Sequence, residues 1–187
     1  MEFRFTEEQR MIRDTAEAFL AEASSSEAVR AAMALDSGYD PQLWQRICSE
    51  LYWPAIHVPE AHGGLGLGYV ELVATLEQMG RRLLCSPFFA SVGLGVNTLL
   101  VAGSEQQRDE YLPRLLSGET ATLAWTGTNG RWDADAVQAT WQREEGDYLI
   151  NGGYRYVIDG HCTDWLILAA REPGSVGPQG VSLFMVA

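Results

Sequence analysis

The sequence predicts an α+β protein, with an all-α helical N-terminal domain over residues 1–118 and a β-domain over residues 119–187. Three observations predict it. Apolar residues recur at helical spacing behind recognisable caps through the first part of the chain. From Glu119 onward β-branched and aromatic residues alternate with polar ones between turn signals. The last residues before Ala187 form an apolar, strand-like run without a terminal cap or polar tail. An antiparallel sheet ending there would leave an unpaired edge and a bare apolar face, so the chain is expected to be a truncated fragment, or to be covered by something else.

Thr6 and Gln9 have the form of a capping box, and Ile12, Ala16, Phe19, Leu20 and Ala23 follow at helical spacing. Ser24-Ser25-Ser26 ends this first helix, and residues 27–35 predict a short second one before the Asp36-Ser37-Gly38 turn. Asp40-Pro41 supplies an N-cap and a proline at the first helical position, with Leu43, Trp44, Ile47, Cys48 and Leu51 lining one face of a third helix. Residues 54–68 hold two prolines and four glycines and predict a loop. Val70, Val73, Leu76, Met79 and Leu83 give another helical stripe, and residues 88–102 are hydrophobic nearly all round, as in a buried helix. Ser104 and Gln107 offer a second capping box for a helix to Leu116, closed by Gly118. In the β-domain, residues 136–143, 148–150, 154–158, 165–171 and 181–186 predict short strands.

With 47% hydrophobic residues and six tryptophans the chain has material for a packed core, which argues against global disorder. Arginine plus lysine total 13 against 25 acidic residues, and the net charge of −12 disfavours nucleic acid and anionic membrane as partners. A single pyrophosphate could still be held by a few placed cations or helix N-termini. The three cysteines are far apart, without a CxxC pair, so neither a disulfide framework nor a cysteine zinc site is expected. The start Met1-Glu2-Phe3-Arg4-Phe5 lacks a signal or transit character, and no run reaches membrane-spanning length, so a cytoplasmic protein is expected.

Several ordered segments resemble the acyl-CoA dehydrogenase family. Thr6-Glu7-Glu8-Gln9 resembles its opening helix, and Pro59-Glu60-Ala61-His62-Gly63-Gly64-Leu65-Gly66 its P-E-x-x-G-G-x-G loop. Gly103-Ser104-Glu105-Gln106-Gln107-Arg108, Tyr111-Leu112-Pro113 and Ser117-Gly118-Glu119 are similar to its G-[TS]-E-x-Q-[KR] helix and the following turn. Asn151-Gly152, Thr163-Asp164 and Ala169-Ala170-Arg171 resemble its N-G-x-K, A-D and A-R positions. The resemblance implies a helical domain, a middle antiparallel β-barrel-like domain, and a C-terminal helical bundle that this sequence does not contain. It implies FAD as cofactor, an acyl-CoA thioester as substrate, an electron-transfer flavoprotein as acceptor and a homo- or hetero-oligomer, in fatty acid or steroid side-chain degradation. The implied chemistry is α,β-dehydrogenation: a carboxylate removes the acidified α-proton while the β-hydrogen leaves as hydride to the flavin. The family's base lies in the C-terminal bundle, so no catalytic residue is assigned here.

The resemblance also implies a cofactor site. Against the family's T-E-P-x-x-G-S-D stands Thr126-Gly127-Thr128-Asn129-Gly130-Arg131-Trp132-Asp133, which keeps the first and last residues. Thr126 is assigned to the polar edge of the isoalloxazine, with Leu123 and Trp125 beside it, and the glycine-containing loop is expected to be freer than one held by proline. Trp132 and Asp133 are assigned to the acyl-CoA entrance. Tyr156-Val157-Ile158 stands at the family's aromatic, aliphatic and Thr or Ser positions: Tyr156 supplies a ring, but Ile158 lacks the hydroxyl. Tyr154 replaces the usual lysine. Residues 123–133 and 154–158 are therefore expected to form adjoining strands that wall the flavin.

Other patterns have plainer explanations. Gly64-Leu65-Gly66-Leu67-Gly68 follows no strand and suits a structural turn better than a dinucleotide site. His57, Glu60 and His62 lie in a Pro/Gly loop without helical spacing, and no metal site is expected from them. His161 and Asp164 fall at a strand turn, where a turn-stabilising role outweighs an acid–base pair. Trp125 and Trp132, taken without the resemblance, suit core or interface aromatics. Three functions compete: an acyl-CoA dehydrogenase, a non-catalytic partner subunit of a hetero-oligomeric one, and a decayed product that folds poorly.

Overall fold

The structure, a computed structural model, describes residues 4–187; the Met1-Glu2-Phe3 part of the amino-terminal reading lies outside them. The chain divides into two compact units: one runs to Phe88 and resumes over Leu99–Gly118, and the other joins Phe89–Thr98 to Glu119–Ala187.

The first unit is helical. Helix α1, Glu7–Ala23, opens with the expected capping box: Thr6 Oγ1 accepts from the Gln9 N–H at 3.1 Å and Gln9 Oε1 accepts from the Thr6 N–H at 3.0 Å. Helices α2, Ser26–Met33, and α3, Pro41–Ser49, are capped by Ser25 and Asp40. Helix α4, Tyr69–Arg81, packs against α1, where Ala16 and Leu20 are fully buried. The pair is also joined at its rim by Arg81 to Glu17 at 2.7 Å. Trp44 of α3 is buried and donates its indole N–H to the Gly118 carbonyl at 2.8 Å.

Residues 54–68 form an ordered loop, entered through a 3-10 turn at Trp53–Ala55 and holding a second at Glu60–His62. The N–H groups of Leu65, Gly66 and Leu67 donate back to the carbonyls of Ala55, Val58 and Ile56 at 2.9–3.0 Å. A Cβ on Gly64 would lie 1.9 Å from the Val58 carbonyl oxygen, so the glycine serves a close backbone crossing. That accounts for the Gly-rich pattern as a structural turn.

Residues 88–102 differ from the single buried helix expected. Phe89–Val96 winds as a wider π-helix, and α5, Asn97–Ala102, follows. The widened part lies on the β-unit: Ser91 Oγ accepts from the Ala121 N–H at 3.2 Å, and a Cβ on Gly95 would meet the Ala121 Cβ at 2.7 Å. Val101, by contrast, is 80% exposed. Helix α6, Glu105–Leu116, has the second capping box and buries Leu112 and Leu115.

The second unit carries a five-stranded mixed sheet, ordered β1-β4-β2-β3, with β5 also paired to β4. The strands are β1 (Ala121–Ala124), β2 (Thr140–Glu144), β3 (Asp147–Asn151), β4 (Trp165–Arg171) and β5 (Val181–Val186). The expected antiparallel pairing holds for β2 with β3 and β4 with β5; β1 and β2 each run parallel to β4. The sheet does not close. Residues 134–136 form a 3-10 turn and not the start of the expected strand, which begins at Thr140. Ala121, Ala124, Ile167, Ala169 and Ala170 are buried, and β1 packs against the π-helical segment. Among the described residues no helix is long and apolar enough to cross a membrane.

Candidate functional site

Strand β1 pairs with β4 from Ala121 opposite Trp165 to Ala124 opposite Leu168. Ala121, Thr122 and Ala124 are buried and Leu123 is half-buried; just past the strand Trp125 is half-buried and Thr126 buried. Asp164 fixes the strand's start: its Oδ2 accepts from both the N–H and the hydroxyl of Thr120 at 2.8 Å. That bond makes Asp164 a turn anchor; His161, three residues away, is exposed.

Beyond Ala124 the chain leaves the sheet, and the Thr126 carbonyl accepts the Arg155 N–H at 2.8 Å. A second close approach reinforces this one, because a Cβ on Gly152 would lie 2.5 Å from the Ala139 Cβ. The two segments therefore adjoin. Residues 154–158, however, are not the strand expected: they are irregular, and Tyr156 has φ 58°. The β-propensity of Tyr-Arg-Tyr-Val-Ile is overridden by two tertiary anchors and a turn. Tyr154 turns inward, its hydroxyl donating to the Ala169 carbonyl at 2.9 Å, and burial pushes that phenol up to about 12. On the other side, the Gly160 N–H closes a turn onto the Val157 carbonyl at 3.2 Å. Between them the Tyr156 ring is left 73% exposed, with Val157 half-buried and Ile158 exposed. The N–H groups of Val157 and Ile158 carry no hydrogen bond among the described residues.

The loop after Thr126 is not the freer one expected. Gln138 Oε1 accepts from the Thr128 hydroxyl at 2.9 Å and the Asn129 N–H at 3.1 Å, and Asn129 Nδ2 donates to the Ala136 carbonyl at 3.0 Å. Trp125 donates its indole N–H to the Trp132 carbonyl at 3.0 Å, which ties the loop tip back to the strand end. Side-chain hydrogen bonds thus replace the restraint of a proline. Trp132 stands 69% exposed. Asp133 is exposed too, and the hydrogen bond from the Arg131 guanidinium holds its carboxyl below the usual range. At the far end of the loop, Arg171 donates from Nε to Val137 at 2.7 Å, from Nη2 to Ala134 at 2.8 Å and from Nη1 to Ser175 at 2.9 Å, all backbone carbonyls.

Gln138 and Arg171 escaped the sequence reading as positioning residues. The available signal was weak: an arginine closing a strand behind two alanines, matching a family position of unstated role. The two segments carry an exposed ring at Tyr156, half-buried apolar groups at Leu123 and Trp125, and N–H groups at residues 157 and 158 that make no hydrogen bond among the described residues. A flat heteroaromatic group with a polar edge needs that combination, and the free N–H groups supply donors where Ile158 has no hydroxyl. The residues present thus fit an isoalloxazine.

Comparison with known proteins finds relatives in both sequence and fold. Residues 6–119 match the family model described as acyl-CoA dehydrogenase, N-terminal domain. The chain is 30% identical over 150 residues to the mitochondrial isovaleryl-CoA dehydrogenase of Solanum tuberosum, covering 79% of this chain and 36% of that protein. It is 34% identical over 113 residues to the acyl-CoA dehydrogenase IpdE2 of Mycolicibacterium smegmatis, covering 60% of this chain and 35% of that one. Among solved structures, a variant of the Tcur3481-Tcur3483 steroid ACAD superimposes with a TM-score of 0.82 at 25% identity, over 96% of this chain and 48% of that one. The chain therefore spans less than half the length of each of these relatives.

Proposed function

The chain belongs to the acyl-CoA dehydrogenase family, and from that premise we propose that it supplies the helical domain and one wall of the flavin site in an FAD-dependent α,β-dehydrogenation of an acyl-CoA thioester. The observation that carries this reading is the hydrogen bond from the Arg155 N–H to the Thr126 carbonyl, which joins the two flavin-facing motifs of the family and leaves the Tyr156 ring open beside them. When bound, FAD supplies the hydride acceptor. Leu123, Trp125 and Tyr156 exclude water from the ring system, while the N–H groups of Val157 and Ile158 orient its polar edge. Thr126 adds a hydroxyl at that edge. Trp132 narrows the acyl entrance, and Arg131 keeps Asp133 ionised there, able to accept a hydrogen bond from the substrate but not to donate one. No residue of this chain is assigned as the base. Soluble cytoplasmic assembly as an oligomer, with an electron-transfer flavoprotein as acceptor, completes the reading.

A second reading, the non-catalytic subunit of a hetero-oligomer, is favoured by one observation: Ile158 places an alkyl group where the family has a hydroxyl. The similarity to a steroid ACAD with a two-part designation supports it as well. The test is to purify the full-length product that carries this chain, alone and with a co-expressed family member, record the flavin spectrum, and add acyl-CoA anaerobically. Yellow protein that bleaches on its own supports the enzyme. Flavin only in the mixed complex supports the partner subunit, and colourless protein in both preparations sinks the two readings together. In the first case Ile158→Thr is expected to raise flavin affinity about 5- to 10-fold, the worth of one net hydrogen bond.

A further inference from the structure

Helix α6 presents Glu105 and Asp109 one turn apart, and the 3-10 turn Glu60–His62 brings His62 up to them. One ligand atom from each of the three residues lies within 4.8 Å of the others. The His62 side chain is only 7% exposed, whereas those of Glu105 and Asp109 are 72% and 63% exposed. Two buried-site observations make the cluster more than a pair of surface acids. His62 Nδ1 is shielded from solvent and makes no hydrogen bond, although Asp109 Oδ1 lies only 3.2 Å away. That oxygen must therefore sit off the direction of an N–H, leaving a ring nitrogen and a carboxylate oxygen converging on a common point. Two ligands bound at about 2.1 Å to one metal, at tetrahedral or octahedral angles, are about 3.0–3.4 Å apart, and the observed pair falls in that interval. Glu105 Oε1 is 3.8 Å from His62 Nε2, and its other oxygen lies 3.7 Å from Arg108, so it needs a rotamer change that its exposure permits.

We propose that His62, Asp109 and Glu105 form a binding site for a divalent transition cation of the zinc class, which pins the 54–68 loop to the first turn of α6. One imidazole and two carboxylates suit Zn²⁺, Co²⁺ or Ni²⁺, with water filling the remaining positions, and disfavour Ca²⁺ and Mg²⁺, which take all-oxygen shells. Access exists: a cavity of about 580 Å³ opens beside the cluster, lined in part by Cys48, Tyr52, His62, Asp109 and Ser117. The histidine is forty-three and forty-seven residues from its two partners in the chain, so local spacing could not reveal them.

Isothermal titration of the chelator-stripped full chain with ZnCl₂, and separately CoCl₂, in a background of excess MgCl₂ tests this. One cation per chain is expected, with Co²⁺ giving a visible absorption and Zn²⁺ raising the thermal midpoint. His62→Ala and Asp109→Asn should each weaken binding at least about tenfold, and Glu105→Gln about threefold, since losing a ligand costs more than loosening one. Asp109 sits on the exposed face of a helix, so Asp109→Asn keeps the fold and separates lost binding from lost structure. Absence of one-to-one binding, or binding undiminished in Asp109→Asn and His62→Ala, overturns the proposal and leaves the cluster an ion-paired contact.

Discussion

Replacing Arg171 with methionine keeps the length of the side chain and removes the guanidinium that fastens the loop after Thr126. Three backbone carbonyls lose their donor: Val137 at 2.7 Å, Ala134 at 2.8 Å and Ser175 at 2.9 Å. A hydrogen bond from an ionised donor contributes about 1.5–3 kcal/mol. Arg171 is only half-buried, and the freed carbonyls regain some water, so the net loss is expected at about 2–4 kcal/mol and not the full total of three such bonds. With a urea dependence of about 2 kcal/mol per molar, the unfolding midpoint falls by about 1–2 M. Limited trypsinolysis followed by mass spectrometry reads the local effect, because Arg131 sits at the tip of the released loop and its peptide bond becomes an early cleavage site. Arg171→Lys recovers less than half of the loss, since an ammonium cannot span three carbonyls arranged for a planar fork. A midpoint shift below about 0.3 M in Arg171→Met, with Arg131 still protected, would refute this account of what holds the loop.

Gly64→Ala drives a methyl to within 1.9 Å of a backbone carbonyl that already accepts the Gly66 N–H, so nothing flexible can give way; a loss of about 3 kcal/mol or more is expected in chemical denaturation. Asp164→Asn keeps the size of the side chain but trades an ionised acceptor shared by two Thr120 donors for a neutral one, and should cost about 1–2 kcal/mol in the same assay. Tyr154 gives a pH signature: its phenol is raised by burial from 10.0 to about 12, so its contribution is complete below pH 10 and drains away as pH climbs toward 12, where the unfolded chain releases the proton more readily. Tyr154→Phe should flatten that alkaline loss of stability while lowering stability at neutral pH, and an unchanged alkaline slope would contradict the assigned burial.

The helices were legible because their signals are local. Thr6 with Gln9, Asp40 with Pro41 and Ser104 with Gln107 act within three residues of one another, and each cap is found where its pattern stands. Strands β3, β4 and β5 were legible for a similar reason, from alternation bounded by turn residues. Legibility failed where distant contacts outweigh propensity. Residues 154–158 have the composition of a strand, yet Tyr154 is drawn to Ala169, and Tyr156 is forced to positive φ. Residues 88–102 carry an unbroken apolar stripe, but Gly95 must pass within contact of Ala121, and the helix widens there.

By itself the sequence determined which segments are helical, where the periodicity changes after residue 118, and which family's motifs the chain carries, since each of these is written in residues close together in the chain. The family resemblance implied that the Thr126 and Tyr156 motifs adjoin, but only the tertiary structure decided that a backbone hydrogen bond and not a strand pairing joins them, that Gln138 and Arg171 hold the loop after Thr126, and that His62 faces two carboxylates of α6. Those pairings join residues nine to forty-seven positions apart, and no pattern along the chain encodes a contact whose cost is loop closure and whose gain comes from burial and hydrogen bonding at the far end.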